Sequence, residues 1–277
     1  MTRGRRLLRR TRPRFWFYLA GPVLVGAVYG ATTGSDLAHP VLIVLFLYFL
    51  LPANAYLYGI NDIFDARIDR FNPKKSDREV PYTGDSATVW LVVVSGMLGI
   101  LLLPVLPRES LPWMVGFLLL GAAYSAPPVR LKTTPFLDSI ANGLYILPAG
   151  AAYALLAGGQ PPLAAVVGGW LWAMSMHTFS AIPDIIPDQQ GGIRTTATTL
   201  GHTGALVYCA TCWSLAAIAM ALVDIRFGIL FAVYPVILAA IVASAISIDR
   251  AYWWYPGINT GVGMLMTIGG LLRVFHG

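Results

Sequence analysis

The chain is a succession of apolar runs separated by short polar connections. Nine runs can be marked, over residues 15–33, 41–60, 89–106, 111–125, 137–156, 163–182, 204–222, 227–246 and 256–274. Most approach the ~20 residues that a helix needs to cross ~30 Å of hydrocarbon. Long apolar runs of this kind read as bilayer-spanning helices, so the pattern predicts an all-α, polytopic membrane protein with nine transmembrane helices. Several runs carry Gly or Pro, as at Gly21-Pro22, Pro52, Pro148 and Pro235. Membrane helices tolerate these residues because neighbouring helices can re-satisfy the freed backbone groups.

The placement of cations orients this array. Arg3, Arg5, Arg6, Arg9, Arg10, Arg12 and Arg14 crowd the first fourteen positions, ahead of the first run. With this arm in the cytoplasm, the connections after runs two, four, six and eight are cytoplasmic too. Together with the arm they hold sixteen Lys and Arg residues, against Arg108, Arg226 and Arg273 on the other side. Cytoplasmic loops are enriched in Lys and Arg, so the amino terminus and the polar connections belong inside and the carboxyl terminus outside. The expected organisation is a basic cytoplasmic arm, residues 1–14, resting against anionic headgroups, and one nine-helix domain, residues 15–277. A cleaved signal peptide is disfavoured, because the topology needs the first run as a helix.

Composition agrees. At 57% hydrophobic and 12% charged residues, the chain is too apolar for a water-soluble domain. The net charge of +6 sits largely in the arm, which points to membrane lipid rather than nucleic acid. Cys209 and Cys212 form an isolated CxxC inside an apolar run, more consistent with buried small side chains than with a metal or redox site.

The polar connections carry the candidate chemistry. Residues 61–85 gather six of the thirteen acidic residues and five of the nineteen Lys and Arg. Asp62, Asp65 and Asp69 fall at i, i+3 and i+7, one face of a helix, where like charges repel unless a cation joins them. An all-oxygen carboxylate set suits Mg²⁺. A second acidic connection, residues 182–201, places Asp184 and Asp188 at i, i+4. There Pro183 suits a first helical turn, and Pro187 predicts a kink or unwinding near Asp188. Between them, residues 124–134 read YSAPPVRLKTT: the proline pair ends the fourth run, and Arg130 and Lys132 stand at the membrane edge. All three lie on one side, and the spans are almost free of ionisable groups, which argues against a channel or carrier path.

Two carboxylate groups with interleaved cations match what a diphosphate bound through Mg²⁺ requires. An allylic diphosphate held this way can ionise to a resonance-stabilised cation, provided water is kept out. Tyr56, Tyr58, Phe64, Tyr145, Trp172 and Phe179 offer rings for cation–π contact, although a packing or interfacial role is the readier reading for each. Lys74 and Lys75 read as a solvated pair. His177 suits a hydrogen-bonded packing role. Asp138 and Asn142, at i, i+4, either line an acceptor pocket or, for Asp138, cap a helix.

These residues carry a resemblance. Asn61-Asp62-x-x-Asp65-x-x-x-Asp69 resembles the first aspartate-rich motif of the UbiA superfamily of intramembrane prenyltransferases. Asp184-x-x-x-Asp188 followed by Gly192 and Thr195 resembles the second, and Tyr124-Ser125-x-Pro127-Pro128-x-x-Leu131-Lys132 resembles the connecting tyrosine–proline motif. The resemblance implies a nine-helix bundle around a central cavity, two Mg²⁺ ions, and prenyl transfer from a prenyl diphosphate to a lipophilic acceptor. It implies that Asn61, Asp62, Asp65, Asp69, Asp184 and Asp188 serve the metals. It implies further that Arg67, Arg78, Lys132, Arg194 and Tyr124 contact the diphosphate. Apart from the resemblance, Tyr58, Asp138, Asn142, Tyr145 and His177 are the candidates for an acceptor pocket. Many members carry a further aspartate where this chain has Ala181, which thins one ligand set.

The segment 51–80, LPANAYLYGINDIFDARIDRFNPKKSDREV, is similar to the branch that adds C5 units from dimethylallyl diphosphate to the ends of lycopene, toward C45 and C50 carotenoids. An aromatic or quinone precursor, or a polar-headed lipid, is the alternative acceptor. A carrier of a phosphorylated ligand is the alternative class. A CDP-alcohol phosphotransferase is disfavoured, since its DGxxAR-led motif is absent.

Overall fold

The computed structural model describes residues 8–66, 82, 84–244 and 246–276, with no strand among them. In chain order its α-helices are α1 (Trp16–Gly30), α2 (Pro40–Leu50), α3 (Pro52–Asp65), α4 (Ser86–Leu102), α5 (Leu111–Ser125), α6 (Leu137–Ile140), α7 (Leu147–Ala157), α8 (Leu163–Ala181), α9 (Ile185–Gln190), α10 (Thr196–Ala221), α11 (Ile225–Phe231), α12 (Val233–Ala243), α13 (Ile248–Tyr252) and α14 (Tyr255–His276). Among the described residues, six helical stretches are long and apolar enough to cross a membrane: Pro40–Asp65, Ser86–Val105, Leu137–Ala157, Thr196–Ala221, Ile225–Ala243 and Ile248–His276. α5 is a shorter apolar helix. Leu101, Leu119, Leu222, Ile229 and Val236 are exposed, an outward apolar surface suited to lipid. The chain is an integral membrane protein.

Pro52 breaks its span, whereas Pro22 is accommodated inside α1. Pro52 cannot donate a backbone hydrogen bond, so α2 stops at Leu50 and α3 restarts with Pro52 at its amino end. Asn54 repairs the break: its buried Nδ2 donates to the Phe49 carbonyl at 2.9 Å and the Leu50 carbonyl at 3.1 Å. The expected span over 137–156 is likewise interrupted. α6 is one turn long and passes through a 3₁₀ segment, Ala141–Ile146, before α7 begins. Gly201 breaks the regular dihedrals of α10 with φ 68°, a left-handed conformation that glycine adopts without steric cost.

The chain divides into two compact units. The first comprises residues 1–130, 147–160 and 270–277, and is built on α1 to α5 with α7. α1 packs on α7 nearly backbone to backbone: a Cβ added at Gly26 would lie 2.0 Å from the Ala149 carbonyl oxygen, and one at Gly30 would lie 2.6 Å from that of Tyr153. Such Gly-x-x-x-Gly spacing lets helices approach where lipid supplies no hydrophobic drive between them. Arg273 donates to the carbonyls of Val28 (3.0 Å) and Ala31 (2.6 Å), closing the carboxyl end of α1 with a cation.

The second unit comprises residues 131–146 and 161–269, and α8 packs along α10 at its centre. Its core is an aromatic stack in which Trp213 lies 5.5 Å from Tyr255 and 5.7 Å from Tyr234, with Phe179 4.8 Å from Tyr255. All four rings are buried.

The α1–α7 contact is directly testable. Gly26→Ala places its new methyl against backbone that cannot move aside, so it should lower the thermal midpoint of the purified protein, by about 2 kcal/mol or more in stability. Gly21→Ala, whose Cβ would meet nothing within 4 Å, should leave the midpoint unchanged or slightly raised.

Candidate active site

In the first unit, α3 ends at Asp65 and carries Asn61, Asp62 and Asp65 on its last turn and a half. Asp62 and Asp65 are each 7% exposed. A carboxylate this deep needs a cation, and each has one. Arg12 Nη2 donates to Asp62 Oδ1 at 2.9 Å, and Arg130 Nη2 donates to Asp65 Oδ1 at 3.0 Å. Arg12 and Arg130 both take positive φ, 51° and 45°. This region costs a non-glycine residue on the order of 1 kcal/mol and is kept only where surroundings demand it. The Arg12 guanidinium also lies 4.7 Å from the centroid of the Tyr58 ring. Asn61 Nδ2 donates to Ser125 Oγ on α5 at 3.3 Å.

The arm is thus partly internal. Arg10, 3% exposed, pairs with Asp85 at 2.9 Å and donates to the Thr88 hydroxyl, so two of its arginines turn to carboxylates rather than to headgroups. Burial pushes the Asp85 carboxyl up, but the Thr88 hydroxyl and amide, with Arg10, outweigh it and hold the group below the ordinary range. Nothing in the sequence singles out Arg12 among seven arginines. Arg130 is a cation beside the tyrosine–proline motif, but its partner lies 65 residues away in sequence.

The second unit carries the other acidic set. Asp184 ends a 3₁₀ turn, Ile182–Asp184, and Asp188 lies in α9; both are half-buried. The expected break near Asp188 falls earlier. Pro183 ends α8, and Pro187 sits in the first turn of α9, where its missing N–H is of no consequence. Arg194 is exposed, and Lys132 belongs to the turn Leu131–Thr133.

Beside these lies a polar network that the sequence does not announce. Asp138 on α6 is fully buried and engaged at both oxygens. Oδ1 accepts from the Thr196 hydroxyl, while Oδ2 accepts from the Thr196 amide at 2.9 Å and lies 3.5 Å from His177 Nε2. Asp138 therefore caps α10 rather than its own helix. Asn142 Nδ2 donates to the Asp138 carbonyl at 2.7 Å. Ser139 donates to the Met174 carbonyl at 3.0 Å and lies 3.0 Å from the Tyr208 hydroxyl. Partners 58 and 35 residues apart leave no local signature that could reveal such a network.

Of the aromatic candidates, Phe179 belongs to the buried stack and Tyr56 donates its hydroxyl to the Leu118 carbonyl at 2.8 Å, so both are packing residues. Tyr58, Tyr124 and Tyr145 are half-buried. Arg67, Asp69 and Arg78 lie outside the described residues. Among the described residues no three His, Cys, Asp or Glu side chains converge as a metal-binding group. Asp62 and Asp65 nevertheless fit Mg²⁺: they are buried oxygen donors, already arranged to receive positive charge, with the Asn61 amide one turn away.

Residues 19–257 match the sequence profile of the UbiA prenyltransferase family. A lycopene elongase/hydratase of Halobacterium salinarum is 58% identical over 268 residues, covering 96% of this chain and 97% of that protein. Another, of Haloferax volcanii, is 56% identical over 267 residues, covering 96% and 89%. The solved structure of a UbiA homolog from Archaeoglobus fulgidus bound to DMAPP and Mg²⁺ shares the fold, with a TM-score of 0.74 at 21% identity, covering 97% of this chain and 99% of that one. The chain belongs to the UbiA prenyltransferase family.

Proposed function

We propose that the protein transfers dimethylallyl units from dimethylallyl diphosphate to the ends of lycopene, releasing diphosphate and yielding C45 and C50 carotenoids. The observation that carries the donor half is the pair of buried, cation-balanced carboxylates, Asp62 and Asp65, at the end of an apolar helix. The acceptor half draws support from relatives at 56% and 58% identity that bear the name lycopene elongase/hydratase.

In this reading Asn61, Asp62, Asp65, Asp69, Asp184 and Asp188 hold Mg²⁺, two ions in all. When bound, Mg²⁺ neutralises the diphosphate oxygens and makes the group a better leaving group. Arg67, Arg78, Lys132, Arg194 and Tyr124 take the remaining oxygens by charge-assisted hydrogen bonds, which strengthen as charge develops on the departing group. Tyr58 presents a ring face to positive charge, as it does to Arg12. Asn142 and Tyr145 stand toward the acceptor. The allyl carbon bonds to the terminal alkene of lycopene, and the resulting tertiary cation is quenched by loss of a proton or by water. The fold that houses this chemistry is nine spans around a central cavity, with the amino terminus and the acidic connections on the cytoplasmic side and the carboxyl terminus outside.

Expression in a lycopene-producing host should convert lycopene to C45 and C50 products, read by mass spectrometry of extracted pigments. Unchanged lycopene with a prenylated quinone in its place would overturn the acceptor assignment. In purified protein, Asp65→Asn should cut diphosphate release by about 100-fold or more while the protein stays folded, because a charged donor to a cation is lost. A carrier would release no diphosphate even as wild type. Stripping divalent metal with EDTA should abolish release, and added Mg²⁺ should restore it.

A further inference from the structure

The acidic segment 182–195, which carries Asp184, Asp188 and Arg194, hangs between two stems: the end of α8 and the start of α10. One buried carboxylate touches both. Asp138 receives the hydroxyl and the amide of Thr196, the first residue of α10, and its Oδ2 faces His177 near the end of α8 at 3.5 Å. The Thr196 hydroxyl is oriented in turn, since it accepts from the Phe136 amide at 2.8 Å while it donates to Asp138. The neighbouring Ser139 repeats the pattern. It meets the Met174 carbonyl and the Thr178 hydroxyl (3.2 Å) on α8, and the Tyr208 hydroxyl on α10. Both Asp138 and Ser139 are fully buried, and the single turn that bears them, Leu137–Ile140, comes shortly after the turn Leu131–Thr133 that bears Lys132.

A buried carboxylate is costly in an apolar setting and is retained where its charge is used. Here its partners on other elements are the two stems of the acidic segment. We propose that Asp138 is a positioning residue for the diphosphate end of the reaction: it clasps the stems of the segment 182–195, setting Asp184, Asp188 and Arg194 in register with Lys132. This moves Asp138 and His177 from the acceptor wall to the support of the donor site. The inference rests on the reading of that site given above.

The test is calorimetric titration of the full-length protein in detergent with Mn²⁺ and inorganic pyrophosphate, with no acceptor present. Asp138→Asn keeps the shape but loses the charge and an acceptor oxygen. It should weaken pyrophosphate binding at least tenfold and raise KM for the prenyl diphosphate by a similar factor, leaving KM for the acceptor unchanged. Thr196→Ser, which keeps hydroxyl and amide, should bind as wild type; Thr196→Val, which keeps the amide alone, should fall between. If Asp138→Asn does not fold, the Thr196 pair gives the answer. Wild-type pyrophosphate affinity in Asp138→Asn or Thr196→Val would overturn the clasp, whether the variant shows only a lowered thermal midpoint or a raised acceptor KM. Wild-type protein that binds no pyrophosphate with Mn²⁺ would instead overturn the reading of the donor site itself.

Discussion

Charge buried at the end of an apolar helix must be balanced, and this requirement organises the polar half of the molecule. Asp62 and Asp65 sit where a membrane-grade helix terminates, largely shut off from solvent. Each is held against a guanidinium, Asp62 against Arg12 and Asp65 against Arg130, so positive charge already faces both carboxylates. The two arginines that supply this charge hold left-handed backbone beside the carboxylates. A metal bound at Asp62 and Asp65 would bring its charge to oxygens that already face cations.

The second unit meets the same requirement with hydrogen bonds. Asp138 has the Thr196 amide, the Thr196 hydroxyl and the edge of His177 around it. These groups serve structure and charge at once, because the amide is one of the unsatisfied donors at the start of α10. The carboxylate that satisfies a helix end also ties down the loop leading into it.

What the sequence revealed follows from the range of the interactions involved. Apolar runs, proline breaks and carboxylates at helical spacing are local, and they are legible: α2 and α3 part at Pro52, and Asp62 and Asp65 share the last turns of α3. Pro187 alone predicts a break near Asp188, but the chain restarts after Pro183, which puts Pro187 in the first turn of α9. The partners of the carboxylates are distant in sequence. Arg12 meets Asp62 across 50 positions, and Asp138 meets Thr196 across 58, with no periodicity to link them. The family motifs name the carboxylates but are silent about which cations and hydroxyls hold them.

The account turns on the two acidic segments binding one metal–diphosphate group. A crystal structure with Mn²⁺ and a non-ionisable thio-analogue of dimethylallyl diphosphate, recorded at the Mn absorption edge, addresses that most directly. The account predicts anomalous peaks within about 2.0–2.3 Å of carboxylate oxygens from both Asp62 or Asp65 and Asp184 or Asp188, around a single analogue. Mn²⁺ bound to one acidic segment alone, or an analogue whose diphosphate lies away from both, would contradict it.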